Sequence, residues 1–240
     1  WVISPKRLFT NNWQDELWLV AGGIFGGSLY FFTENTALGI TQASNVSFII
    51  CTAPLLTTIL SLLFYKSEKA SRGLIYGSLL ALMGVGLIVF NGSFVLKISP
   101  IGDLLTLLAA LSWAFYSLII KKMAGRYPTI FITRKIFFYG VLTILPAFLL
   151  HPLHPDTVVL LQPAVLFNLL FLAVLASLIC YVLWNVVLKQ LGTVRASNYI
   201  YLNPLVTMIA SFLILDEKIT LVALGGAACI VCGVYWAEKK

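Results

Sequence analysis

Residues 44–61, SNVSFIICTAPLLTTILS, and residues 194–211, VRASNYIYLNPLVTMIAS, read as two copies of one segment. Set 150 positions apart, Ser47 meets Ser197, Pro54 meets Pro204, Leu55 meets Leu205, Thr57 meets Thr207 and Ser61 meets Ser211. The match extends outward. Asn35 meets Asn185 and Leu38 meets Leu188; after a one-residue slip, Glu68-Lys69 meets Glu217-Lys218, Gly77 meets Gly226 and Gly84 meets Gly233. These agreements fall on Asn, Pro, Glu and Gly, where chance likeness between apolar sequences contributes least. An internal repeat of this length governs the whole reading of the fold.

The medium of the repeat follows from composition. Hydrophobic residues make up 60% of the chain and charged residues 10%, against about 45–50% and about 25% in soluble domains. A soluble domain of 240 residues has no interior large enough for this apolar surface, so lipid is the expected solvent. Eight apolar runs approach the length of about 20 helical residues that spans a bilayer. They are labelled A to H: about 17–40, 42–65, 72–91, 101–121, 129–150, 164–189, 194–215 and 220–237. The runs are too long, and alternate too little, for barrel strands.

The net charge of +7 suggests nucleic acid only until the charges are placed. With the C-terminus on the cytoplasmic side, the basic residues all fall in inner segments except Lys97 and Lys218. That is a positive-inside pattern, so the charge sets orientation and touches lipid headgroups, and no nucleic-acid partner is expected. The location expected is the cytoplasmic (inner) membrane, multi-pass.

Runs A, B and C repeat as F, G and H, an offset of five helices. An odd offset makes the copies enter the membrane in opposite directions, the inverted architecture of many secondary transporters. Runs D and E lack partners, which would lie about 50 residues before Trp1. The fold expected is therefore an all-α membrane protein with an inverted five-plus-five helix repeat, eight transmembrane helices being present of ten. Residues 1–93 would be the first repeat, N-terminally truncated to its last three helices, and 94–240 the second, with five.

The wording of the repeat carries a resemblance. ENTALGITQASNVSFIICTAPLLTTILSLLFYKSEK (34–69) and LGTVRASNYIYLNPLVTMIASFLILDEKIT (191–220) resemble the signature segments of EamA-type drug/metabolite transporters, and GDLLTLLAALSWAFYSLIIKKM (102–123) resembles that family's sixth helix. The resemblance implies a ten-helix fold that moves small organic solutes through a central cavity. The chain departs from the pattern in lacking two helices and in carrying Lys66-Ser67 where Leu-Gly is usual.

Pro54 and Pro204 sit mid-run at equivalent depths, and each removes a backbone donor. Freed carbonyls at membrane depth require protein or a water-filled cavity, so the two breaks are expected to mark a binding site, a packing kink being the alternative. Faces of small and polar side chains surround them, with Asn45, Asn198 and Tyr201 alongside. Tyr30 and Glu34 on run A, Trp113 and Tyr116 on D, and Tyr181, Trp184 and Asn185 on F supply aromatic rings and hydrogen-bonding groups. With Asn35, they make an expected pocket for a small organic substrate.

Glu34 stands about six residues from the outer end of run A, so about 9 Å below it. A charged carboxylate at depth costs on the order of 2.5–3.5 kcal/mol, so it is expected to be neutral or held by a partner. It would bind an amine-bearing substrate, exchange a proton as coupling ion, or serve as a structural hydrogen-bond partner. Its counterpart in the other repeat is Trp184, so the fold does not require a carboxylate there.

The remaining features point to no chemistry. Cys51, Cys180, Cys229 and Cys232 lie in apolar runs as free thiols, and the C-x-x-C of Cys229 and Cys232 lacks charged neighbours. His151 and His154 have loose spacing, poor for a metal, and Glu68 and Glu217 read as interfacial caps or ion pairs. No metal, catalytic residue or cofactor is expected. The function expected is a secondary transporter, an exporter of small amino-acid-like or amphipathic metabolites by alternating access. A membrane scaffold, a lipid scramblase and an intramembrane enzyme are the alternatives; the last lacks a nucleophile–base pair at depth.

Overall fold

Asn12 starts the first helix. Its backbone is extended and its Oδ1 accepts from the Asp15 N–H at 2.8 Å, satisfying one of the orphan donors of the first turn. In the computed structural model, residues 9–65, 71–90, 99–150, 157–215 and 219–239 are described. His151, His154, Glu68, Glu217, Lys97 and Lys218, named above, lie outside the described residues.

Among the described residues every regular element is helical. Run A is α1 (Trp13–Gly23), a π-helical turn (Ile24–Ser28) and α2 (Leu29–Ile40). Run B is α3 (Ala43–Ile50) and α4 (Ala53–Phe64). Runs C, D and E are α5 (Arg72–Phe90), α6 (Pro100–Ala124) and α7 (Thr129–Leu150). The short α8 (Thr157–Leu160) precedes run F, which is α9 (Pro163–Leu170), a π-helical stretch (Phe171–Ile179) and α10 (Cys180–Leu191). Run G is α11 (Thr193–Asn198), a 3-10 turn (Tyr199–Leu202) and α12 (Asn203–Leu215), and run H is α13 (Leu221–Glu238).

Six of these helical stretches are long and apolar enough to cross a membrane: those of runs B, C, D, E, F and H. Runs A and G are outside that set, where eight were expected. The glycines and Glu34 dilute the hydropathy of A, and the 3-10 turn divides G into shorter pieces. The chain is accordingly an all-α, multi-pass membrane protein.

Two interfaces organise it. The helix α6 lies at the centre, against α1, α2, α3, α4 and α10. A core of Leu19, Tyr116, Ile120, Ile132, Tyr181 and Leu188 closes around it. The helices α5 and α13 form the most extensive pair. They are antiparallel and meet through glycines. A Cβ on Gly84 would lie 2.5 Å from the Gly226 carbonyl and 2.8 Å from the Ile230 nitrogen, and one on Gly77 would strike the Gly233 carbonyl. Backbone-to-backbone approach of this kind replaces the hydrophobic drive that lipid removes. Gly84→Val should therefore push the two helices apart and cost about 1–3 kcal/mol. Thermal unfolding in detergent checks this: a clear drop in Tm is expected, and an unchanged Tm would contradict the packing.

Run F behaves differently. Its span over Pro163–Leu191 is the least buried of the six, with Phe167, Leu170 and Leu178 all exposed.

Candidate functional site

Helices α2, α6 and α10 bring five of the sequence-singled aromatic side chains into one cluster. The Trp113 ring centroid lies 5.2 Å from Tyr30, 5.2 Å from Tyr116, 5.7 Å from Tyr181 and 5.8 Å from Trp184. These separations are those of favourable tilted and edge-on ring pairs. Trp113 thus touches both Tyr30, which reaches Glu34, and Trp184, which stands 150 positions after Glu34.

Each hydroxyl of the cluster points at a partner. Tyr116 donates to Asn185 Oδ1 at 2.7 Å, and Asn185 Nδ2 donates to Thr133 Oγ1 at 2.9 Å. Tyr181 donates to the Gly26 carbonyl at 2.7 Å. Gly26 belongs to the π-helical turn, where the wider winding loosens the regular ladder, a frequent feature of functional sites. Gly26 also packs against the Tyr116 ring, which a Cβ there would overlap. Tyr30 donates to Glu34 Oε1 at 3.0 Å. Glu34 is half-buried, and among the described residues it makes no ion pair.

Two donors remain unused. The indole N–H groups of Trp113 and Trp184 are buried and have no hydrogen-bond partner among the described residues. A buried unpaired donor carries a desolvation cost of about 1–3 kcal/mol, so the cluster has donor capacity to offer an incoming acceptor.

The other expected site residues are not in this cluster. Asn35, one position round the helix from Glu34, is exposed, whereas Asn185, 150 positions further on, is fully buried. Asn45 is buried on α3. Asn198 is buried on α11, where Ser78 Oγ donates to its Oδ1 at 3.5 Å. Tyr201 is buried in a second core with Cys51, Ala81 and Val85.

Both prolines follow a break. The helix of run B ends at Ile50, and Pro54 is the second residue of α4; Thr52 donates its N–H and hydroxyl to the Ile49 carbonyl at 2.9 and 2.6 Å. Pro204 is the second residue of α12, directly after the 3-10 turn. Proline is well placed at a first helical turn, where its missing N–H would be unpaired in any case.

One constellation was invisible in the sequence. Just before the apolar stretch that begins at Leu17, α1 carries Asp15 and Glu16, both buried. Glu16 pairs with Lys135 of α7, accepts from the Tyr139 hydroxyl, and accepts from the Thr10 N–H and hydroxyl at 3.0 and 2.8 Å. Asp15 pairs with Arg126 at 2.6 Å and accepts from Tyr127 at 2.9 Å. The orientation signal read into Lys135 therefore omitted its structural role, since it is buried and paired. Burial alone would raise the Glu16 carboxyl, but its hydrogen bonds from Lys135, Tyr139 and Thr10 outweigh it and hold the group at about 2. Because the folded value is depressed, the contribution to stability is complete above the ordinary carboxylate range. It is lost as pH falls through that range toward 2.

Among the described residues no group of three His, Cys, Asp or Glu could hold a metal ion. The four cysteines are free, with Cys51 buried and Cys180 and Cys232 exposed.

The chain is 29% identical to an uncharacterized transporter of Archaeoglobus fulgidus, an alignment covering 100% of this chain and 82% of that one. It is 29% identical over 182 residues to a protein of Salmonella typhimurium described as a "probable amino-acid metabolite efflux pump", covering 72% of this chain and 60% of that one. A solved crystal structure superposes with a TM-score of 0.79 at 19% identity, covering 95% of this chain and 77% of that one, which establishes a shared fold. Residues 1–90 and 100–237 match the EamA-like transporter family, and with a match over nearly its whole length the chain belongs to that family of membrane transporters.

Proposed function

We propose that this chain is a secondary transporter that exports small amino-acid-like or amphipathic metabolites by alternating access, with its substrate site at the aromatic cluster. The observation that carries the reading is Glu34. A carboxylate at membrane depth, held among the described residues by one tyrosine hydroxyl at 3.0 Å and in one cluster with two indole donors that have no partner among those residues, is poised for an external partner. An amine would meet Glu34, an acceptor group would meet Trp113 or Trp184, and the rings of Tyr30, Tyr181 and Tyr116 would surround the body of the molecule. Such a pocket has apolar walls with a few convergent polar groups. Protons are the proposed coupling ion, exchanged at the same carboxylate. Membrane lipid surrounds the whole.

An inverted repeat, residues 1–93 against 94–240, is part of this reading. The α5–α13 crossing supports it: the operation that carries Gly77 onto Gly226 carries Gly233 onto Gly84, so the two glycine contacts are images of each other. The π-helical turns at Ile24–Ser28 and Phe171–Ile179 also fall at equivalent positions, as do the breaks before Pro54 and Pro204. Two broken helices at equivalent depth are the usual pointer to a transporter's binding site. The relative named as an amino-acid metabolite efflux pump supports the substrate class.

The proposed orientation puts the C-terminus on the cytoplasmic side of the cytoplasmic (inner) membrane. Gly39 and Gly125 have open space around them, so each tolerates cysteine. In a background without native cysteines, Gly39→Cys should label with an impermeant thiol reagent from outside and Gly125→Cys should not. The opposite pattern would overturn the orientation. The export reading is tested in cells preloaded with labelled amino acids: faster loss from expressing cells is expected, and loss equal to that of empty-vector cells would contradict it.

A further inference from the structure

We infer that the groove between run A and α7 is a second subsite, which takes the apolar part of the transported molecule, with room for about one aryl ring. The inference rests on Glu34 as the amine site. Run A and α7 come into backbone contact where a Cβ on Gly23 would lie 2.8 Å from the Gly140 nitrogen and one on Gly27 would lie 3.0 Å from the Gly140 Cα. Beside that crossing lies a cavity of 230 Å³, lined by Gly26, Phe31, Ile136, Phe137, Gly140 and Val141 among others. Its lining is almost wholly apolar.

The groove is continuous with the aromatic cluster. Phe137 and Phe31 pack on Tyr181 at 5.1 and 6.4 Å, and the Tyr181 hydroxyl bonds Gly26 of the groove wall. Phe31 and Glu34 share one face of α2, three residues and about 4.5 Å of rise apart. A cation held by Glu34 therefore has the groove about one helical turn away, the reach of a two-carbon spacer. An apolar cavity of about 150 Å³ takes a benzene molecule, so this groove has room for a ring with its linker. The charge of Glu34 selects an amine at the polar end, which a bilayer acyl chain lacks.

The test uses the full chain in nanodiscs and two probes, 2-phenylethylamine and ethylamine, titrated calorimetrically. The phenyl group should raise affinity about tenfold or more. Val141→Phe, at a position 60% exposed and so tolerant of bulk, should fill the groove and abolish that gain while ethylamine binding, the control for folding, is unchanged. Glu34→Gln should weaken both amines alike. A phenyl group that adds nothing, or a gain that survives Val141→Phe, overturns the subsite; so does an equal loss of both amines in Val141→Phe, which is the result a lipid-filled structural groove would give. If Glu34→Gln leaves both amines unaffected while Val141→Phe removes the phenyl gain, the groove stands and the role of Glu34 falls. No binding of either amine overturns both.

Discussion

Glu34→Gln should leave the protein folded and abolish its transport or the pH dependence of that transport. Glutamine keeps the size of the side chain and an oxygen to accept from the Tyr30 hydroxyl, now at 3.0 Å. The change in stability should be within about 1 kcal/mol. A hydrogen bond to a charged group is worth about 1.5–3 kcal/mol, so substrate affinity or flux should fall about tenfold or more. Wild-type flux should vary with pH through the ionisation of this carboxylate, and the variant should lose that dependence. A fully active, normally pH-dependent Glu34→Gln protein would make the residue a structural partner of Tyr30 alone.

Lys135→Met should destabilise the protein severely. The ammonium and the Glu16 carboxylate bury each other at the α1–α7 contact, with side chains 7% and 8% exposed. Removing one partner leaves a buried charge unpaired, at a cost of about 3–5 kcal/mol. Replacing both by apolar residues of similar volume removes the charge problem altogether, so Glu16→Met combined with Lys135→Met should recover most of the loss. Melting temperatures of the two single variants and the double variant in detergent decide the matter. If the single variants melt like the wild type, the pair is not a structural tie between the two helices. The partner pair gives an internal comparison: Arg126 is 53% exposed, and exposed pairs contribute about 0–1 kcal/mol.

Sequence carried the architecture further than it carried the site. Runs of apolar residues, the two prolines and the basic loops each have a direct physical cause, so helix positions were legible to within a few residues. Asn35 shows where legibility stopped. A helix in lipid is apolar on both its inner and outer faces, so polar periodicity marks the buried side only weakly. Glu34 and Asn35 are neighbours in sequence, yet only Glu34 joins the cluster. The π-helical turn at Ile24–Ser28 was also hidden, because nothing in IFGGS distinguishes π from α winding. It shifts the phase of the helix beyond it and lays the Gly26 carbonyl against Tyr181.

Lys135 illustrates a third kind of gap. A lysine near a helix end counts toward the positive-inside rule whether or not it is buried, and its pairing with Glu16 depends on the register of α1 against α7. Thr133 was missed for a related reason. A threonine in an apolar helix usually bonds its own backbone, as Thr133 does to the Thr129 carbonyl at 3.0 Å; that it also receives Asn185 depends on the placement of α10. Trp113 and Tyr116 were legible as pocket residues because mid-run aromatic residues are too deep for the interfacial belt; that Tyr30, Tyr181 and Trp184 join them depends on how α2 and α10 pack on α6.

Transport itself is tested most directly in reconstituted vesicles of the purified chain loaded with a panel of labelled amino acids and amines. The account predicts solute efflux faster than from protein-free vesicles, abolished by Glu34→Gln, with no movement of a fluorescent phospholipid between leaflets. Leaflet exchange without solute efflux would identify a lipid scramblase instead, and neither activity would leave a membrane scaffold.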